Sequence, residues 1–393
     1  MSKPDILFIE INNTCNLSCA MCPRSTLKRP MQFMSFGLFK KIVNEAADLG
    51  VPQVRLFLFG EPLLHPDLVT MINYAKDKGI KFIDFNTNGT LLSNEIARKL
   101  VSSKLDSITF SVTGFTQETY NMFQGYKTGF SLGEIEKNIE NFILERNNQN
   151  KDKPELNMQF IVTKDSIRDV LPYYEKWGLQ AGSVYFTKLN TYKGKFGRQI
   201  KGKRLVCPEI AYKLVVLADG DVTVCCQDYN GALAVGNINT SSLYDLWNRN
   251  PKLDEFRKLH RKQDFSQLPL CRDCDVLFMH GNGLSREVLG KVMRLISKVE
   301  MRDQKPSIVL FGANNVSQEI LDNPGISNYI RCVVDNNKFG EVLGGKDVCH
   351  PSILNEINFD LVVINSVKYA REIYEQVKHF EDKGKEIWMI AKQ

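Results

Sequence analysis

Eight of the ten cysteines in this 393-residue chain fall into two groups. The first is compressed into TCNLSCAMCPRS (14–25), where Cys15, Cys19 and Cys22 are separated by three residues and then two. Three thiolates at that spacing can hold three irons of a [4Fe–4S] cluster and leave the fourth iron to an exchangeable ligand, as a catalytic zinc site keeps one position open. A zinc ion completed by a distant histidine is the competing reading. The second group is Cys207, Cys225 or Cys226, Cys271 and Cys274, ending in a C-x2-C pair. Four thiolates can close a cluster or a zinc ion completely. Cys332 and Cys349 stand alone and read as small buried hydrophobes.

The composition, 43% hydrophobic and 24% charged with a net charge of +6, is that of a soluble globular chain. No apolar run reaches 18 residues, so no membrane span is expected. The start, MSKPDILFIE, lacks the apolar core of a signal peptide, and a cytoplasmic location is expected. In that reducing compartment clustered cysteines point to metal or catalysis rather than disulfides. Basic residues gather at 188–205, with Lys188, Lys193, Lys195, Arg198, Lys201, Lys203 and Arg204. That stretch reads as a solvated loop or as a mouth for an anionic substrate such as a phosphorylated or nucleotide-linked sugar. Basic and aromatic residues do not interleave, so neither nucleic acid nor membrane is an expected partner.

The elements that must position these groups come from periodicity. Strand patterns at 5–11, 53–59, 80–86, 107–112, 155–162 and 183–189 alternate with helical patterns at 35–50, 66–79, 93–103, 131–147 and 167–177. Ser35 reads as an N-cap and Gly50 as a stop. Six βα units in series predict a parallel sheet with helices outside, favouring a closed or partly closed barrel over an open sheet. In such barrels the chemistry sits at the carboxyl ends of the strands, where the loop 15–22 follows the first strand. Residues 212–227 read as a hairpin turning at DGD, and 242–262 as two helices split before Pro251. A charged helix is expected at 284–304, and a second α/β pattern of Rossmann-like order begins at 307. The expected domains are therefore 1–204, 205–283, a linker at 284–306, and 307–393.

At the first cysteine group the sequence resembles the radical S-adenosylmethionine (SAM) superfamily, whose signature is C-x3-C-x2-C. The resemblance covers about the first 190 residues. It implies a partial (β/α)6 barrel of TIM type, and a [4Fe–4S] cluster on Cys15, Cys19 and Cys22 whose open iron is chelated by SAM. It also implies reductive cleavage of the sulfonium to methionine and a 5′-deoxyadenosyl radical. Gly60, Glu61 and Pro62 of FGEP match the family's GGEP, with Phe59 in place of the first glycine. Asn86 and Asn88 of NTNG match the segment beside SAM after the third strand. Ser111 of SVTG matches S-x-D-G, with Thr113 where aspartate is common, and Met21 stands where an aromatic is usual before the third cysteine. Residues 207–275 resemble the twitch form of the SPASM domain. That implies one auxiliary [4Fe–4S] cluster on Cys207, Cys225, Cys271 and Cys274; Cys225 keeps the x17 spacing of the aminocyclitol-oxidising dehydrogenases of this type.

These resemblances imply an oxidoreductase that takes hydrogen from a small polyhydroxylated substrate, such as a sugar, amino sugar, cyclitol or nucleotide-linked sugar. An alcohol would become a ketone, with the auxiliary cluster as electron acceptor and a flavodoxin- or ferredoxin-type protein as external donor. A peptide maturase and a non-catalytic metal-binding scaffold are the alternatives. Lys188 and Arg198 are the candidate substrate residues, and His65 reads as the start of a helix. In the C-terminal domain Asp335, after its second strand, reads either as an acceptor for a ribose or sugar hydroxyl or as a turn residue.

Overall fold

The computed structural model describes residues 2–125, 129–163, 165–178, 180–192, 195, 206–274, 307–321, 327–366 and 369–389. The charged helix expected at 284–304 lies outside them. The chain divides into two compact units. One is built on the residues up to 160 with 176–184 and 189–274; the other is built on 161–175, 185–188 and the described residues from 307.

The first unit carries a sheet of nine strands. β1 (Ile6–Ile9), β2 (Gln53–Arg55), β3 (Phe82–Thr87), β4 (Ser107–Ser111) and β5 (Glu155–Val162) pair in parallel in chain order, and β6 (Ser183–Lys188) stands next in the sheet. Leu7, Ile9, Val54, Ile83, Phe85, Ile108 and Phe110 have no exposed surface, as expected of parallel strands covered on both faces. The expected helices are present. Phe36–Asp48 is capped by Ser35 and followed by Gly50 at φ +72°, and Leu132–Asn148 begins with a full capping box at Ser131 and Glu134.

The barrel is partial. β1 does not pair with β6; its other edge is taken in parallel by β7 (Lys213–Val216), followed by β8 (Asp221–Thr223) and β9 (Gly236–Asn237), both antiparallel. The predicted hairpin therefore exists, and it extends the main sheet instead of building one of its own. Helices Leu243–Asn248 and Pro251–Arg261 follow, divided before Pro251 as expected.

The second unit holds β10 (Ile308–Phe311), β11 (Ile330–Val334), β12 (Val342–Leu343), β13 (Lys346–Cys349), β14 (Leu361–Ile364) and β15 (Glu386–Met389). Their order is β12-β13-β11-β10-β14-β15, all parallel except β12. This is the doubly wound, Rossmann-like arrangement. The β12–β13 hairpin was not expected from the sequence, because its strands are short and β12 is solvent-facing.

The loop after β8 is held by one buried carboxylate. Asp228, 1% exposed, accepts from the Thr223 hydroxyl (2.6 Å) and from the backbone amides of Ala232 and Leu233 (both 2.7 Å). Replacing it leaves three donors unmatched. Asp228→Ala is expected to lower the unfolding free energy by about 2–3 kcal/mol, measured by urea titration.

Candidate active site

β1 delivers the chain directly to the cysteine loop. Asn13 closes the neck of that loop: its amide donates to the Pro30 carbonyl (2.8 Å) and its side-chain oxygen accepts from the Gln32 amide (2.7 Å). Inside, the Leu17 amide donates to Cys15 Sγ (3.4 Å) and the Cys22 amide to the Cys19 carbonyl (3.1 Å). All three thiols are half-buried. Burial, then Cys22 and Cys15 beside it, pushes the Cys19 thiol up to about 12; burial also raises Cys15 and Cys22. Three thiols thus crowd into a poorly solvated loop, where proton loss needs a cation.

The residues around the loop fit a cluster with a cosubstrate. Among the described residues no three His, Cys, Asp or Glu side chains close on a single metal ion. The donors are nevertheless soft thiols on one loop, the ligand type of iron–sulfur centres. Tyr120 is 1% exposed and interacts electrostatically with Cys19 and Cys15, and its hydroxyl has no hydrogen-bond partner among the described residues. A buried donor left open towards the thiols is what a bound acceptor would satisfy. Sequence reasoning missed Tyr120. The signal available was Met21, which leaves the position beside the third cysteine without the usual ring.

The FGEP turn lies against this loop. Glu61 N–H donates to the Thr14 carbonyl (2.8 Å) and Asn12 Nδ2 to the Glu61 carbonyl (2.9 Å). A Cβ at Gly60 would sit 2.2 Å from Asn12 Oδ1 and 2.3 Å from its backbone oxygen, so only glycine fits. Glu61, expected to meet SAM, is 3% exposed and bonded within the protein. Its Oε1 accepts from Leu63 N (3.0 Å) and Thr87 Oγ1 (2.7 Å), and its Oε2 from Asn88 N (2.8 Å). Burial raises this carboxyl above the usual range, against the pull of those donors. It therefore fixes the end of β3. Asn88 in turn reaches Asn16 Oδ1 (3.1 Å) and lies 3.8 Å from Cys15 Sγ. Asn86 Nδ2 donates to Gln159 Oε1 (3.1 Å). At the end of β4, Gln124 clamps the turn: its amide donates to the Ser111 carbonyl (2.8 Å) and its oxygen accepts from Thr113 N (2.6 Å). Pro62 begins a short 3-10 turn, and His65 closes it, held by the Met34 carbonyl (3.0 Å) and the Asp67 amide (3.1 Å).

The second cysteine group belongs to the same unit. Cys207 is pushed up to about 11, first by burial and then by Glu209; Cys271 also bears on it. Cys274 N–H donates to the Cys271 carbonyl (3.2 Å). Cys225 accepts from Gln227 N–H (3.4 Å), the same i+2 contact that Cys15 receives. Its neighbour Cys226 packs against the Phe8, Val215 and Leu217 cluster and takes a bond from Lys213 Nζ (3.4 Å). The phenol of Tyr192 feels both Cys22 and the Cys225–Cys226 pair. Its ring meets Tyr229 edge-on (5.9 Å), and Tyr229 meets Phe59 (5.9 Å). Phe59, the departure from GGEP, thus serves as one wall of an aromatic partition. Lys188 ends β6, and Arg198 lies outside the described residues, as do Lys193, Lys201, Lys203 and Arg204.

Comparison with known proteins agrees with this geometry. The family model of the radical SAM superfamily matches residues 9–143, an iron–sulfur cluster-binding (SPASM) model matches 207–275, and one described as C2185-like, N-terminal, matches 304–388. The chain therefore carries a radical SAM domain and a SPASM domain, and these domains imply a SAM-binding [4Fe–4S] cluster and an auxiliary iron–sulfur cluster. It is 27% identical over 320 residues to the tungsten-containing aldehyde ferredoxin oxidoreductase cofactor-modifying protein of Pyrococcus furiosus, covering 69% of this chain and 87% of that one. To the AdoMet-dependent heme synthase of Methanosarcina barkeri it is 32% identical over 130 residues, 33% of this chain and 37% of that one. Streptococcus suis SuiB, solved with its precursor peptide SuiA, shares the fold at 16% identity and TM-score 0.54 over 65% of this chain and 67% of that one. BtrN, solved with AdoMet and 2-DOIA, aligns at 18% identity and TM-score 0.48 over 70% and 94%. No helix among the described residues is long and apolar enough to cross a membrane.

Gly60→Ala is expected to cost about 1–3 kcal/mol of stability through overpacking and to weaken SAM binding at least tenfold. Urea titration and equilibrium dialysis with SAM would measure the two.

Proposed function

We propose that this radical SAM enzyme is an oxidoreductase that takes hydrogen from a carbinol carbon of a small polyhydroxylated substrate and leaves a ketone. The observation that carries the reading is Tyr192, whose phenol feels thiols of both cysteine groups within one unit, so that a substrate beside it would lie within reach of both. The bound cluster with SAM supplies a 5′-deoxyadenosyl radical, which takes one hydrogen atom. The substrate then gives up its hydroxyl proton and one electron, and the second cysteine group is suited to hold the acceptor because all its thiols are committed. An external donor of flavodoxin or ferredoxin type would return the reducing electron. The P. furiosus relative is named for modifying a cofactor and the M. barkeri relative for making heme, which supports a small-molecule substrate.

The chain's own residues have distinct tasks in this reading. Cys15, Cys19 and Cys22 hold the first cluster. Gly60, Glu61, Pro62, Asn86, Asn88 and Ser111 shape the shelf for SAM. Glu61 acts through Thr87 and Asn88 as a positioning residue. Tyr192, Tyr229 and Phe59 exclude water between the two centres. Cys207, Cys225, Cys271 and Cys274 hold the auxiliary cluster; Cys226 is satisfied by Lys213 and stays outside the ligand set. Lys188 and the basic stretch after it would draw an anionic substrate.

Replacing Cys15, Cys19 or Cys22 by alanine should abolish SAM cleavage, read as 5′-deoxyadenosine released under dithionite. Cys271→Ala should lower iron by about four per chain and reduce turnover more than cleavage. Full product formation by that variant with one cluster would overturn the acceptor role. Cys225→Ala should lose the same iron, whereas Cys226→Ala should keep it, both read by iron assay and Mössbauer spectra.

A further inference from the structure

The second unit has a crevice of its own. From β10 the chain passes to β11 on one side of the sheet and returns to β14 on the other. Doubly wound sheets bind ligands where the order reverses in this way, outside the carboxyl ends of the strands. Here that place is a cavity of about 290 Å³. Gly312 follows β10, Asp335 and Asn336 follow β11, Ser366 follows β14, and Glu372 and Gln376 come from the helix Ala370–Val377.

Its floor is shaped by Gly312, at φ +119°, whose Cβ would lie 2.4 Å from Asn365 Oδ1. Asn365 is 1% exposed; its Nδ2 donates to Ser317 Oγ, while its Oδ1 has no donor among the described residues. A side chain at 312 would collide with that amide, so glycine is required where the chain leaves β10 beside the cavity.

The charges choose the ligand. Among the described residues Asp335 and Glu372 are the charged members of the wall, and the Lys338 ammonium, bonded to the Ala313 carbonyl (2.9 Å), does not line it. In a dinucleotide site the first backbone amides after the strand meet the pyrophosphate. Here the Ala313 amide is already taken by Asp335 Oδ2 (2.7 Å), and Asp335 Oδ1 accepts from Asn337 N (2.8 Å) and Lys338 N (3.1 Å). Phosphate would meet carboxylate instead of donors. The remaining wall of amides, hydroxyl and carboxylate, with Tyr369 at its edge, suits hydroxyl groups on a ring.

We propose that the crevice between Gly312, Asp335 and the helix Ala370–Val377 binds an uncharged, hydroxyl-rich ring of monosaccharide or nucleoside size. The test is saturation-transfer NMR and calorimetric titration of the full, cluster-loaded chain with glucose, myo-inositol, adenosine and uridine. At least one probe binds one-to-one. A response to the nucleosides alone marks a nucleoside site, and a response to glucose or inositol marks a free-sugar site. Glu372→Gln weakens binding at least threefold and Gln376→Trp, at an exposed position, at least tenfold, with unchanged circular dichroism. Cys15→Ala, which disables the radical centre in the other unit, leaves it unchanged. The proposal is overturned if no probe binds, if both crevice variants bind as the parent does, or if ADP or UDP binds tenfold more tightly than its nucleoside.

Discussion

One buried ion pair joins the parts of the radical unit that chemistry needs together. Glu10, just past β1 and fully buried, accepts two bonds from Arg29 Nη2 (2.8 and 3.0 Å) and one from the Ala218 amide (3.0 Å). Arg29 Nε donates to the Tyr229 carbonyl (2.9 Å). One carboxylate and one guanidinium therefore tie the central strand, the end of the cysteine loop and the loop after Cys225–Cys226. Burial, with a smaller push from Asp219, lifts the Glu10 carboxyl to about 7, against the opposing pull of Arg29. A pair that costs so much desolvation adds little net stability, but loss of either partner leaves an uncompensated buried group, at about 3–5 kcal/mol. Its value is positional. It ties the loop of the first cysteine group to the loop that follows Cys225–Cys226, far apart in sequence.

The same economy of position operates at the mouth of the sheet. Parallel strands end together, so short turns after β1, β2, β3 and β4 bring Cys15, Gly60, Asn88 and Thr113 to one edge. Each turn is held by its neighbour: Asn12 to Glu61, Glu61 to Thr87 and Asn88, Asn88 to Asn16. An acid that the motif suggests for direct contact with SAM is thereby used to register two strand ends.

Much of this was legible in the sequence, because short local signals determined it. Ser35 caps the helix it was placed to cap, Ser93 and Ser131 cap helices at the first residues of the ranges expected for them, and Pro251 divides two helices where proline must. The cysteine loop follows β1 as the alternation required. What escaped was long-range. Nothing near residue 213 announces that β7 pairs with β1, since a parallel partner two hundred residues away leaves no periodic trace. Tyr120, Gln124 and Tyr192 carry no motif; they matter because the fold carries them to the cysteines and to the end of β4. Asp335 resolves as the turn residue, its oxygens occupied by backbone amides.

Adjacent cysteines show how environment, and not residue type, sets a thiol's role. Cys226 turns to the Phe8–Val215–Leu217 cluster, where Lys213 stabilises its thiolate; its bond with Cys225 contributes most to lowering its proton affinity, and the same bond raises that of Cys225. Cys226 thus already has a cation of the protein's own. Burial raises the proton affinity of Cys207 and of the three thiols of the first loop, and the bond with Cys226, then burial, raises that of Cys225. Metal loading must therefore release protons at these sites, and its free energy falls on the loops that bury them. Those loops have few apolar residues of their own, so the burial that makes the thiols reluctant to ionise also makes their order depend on the metal they hold.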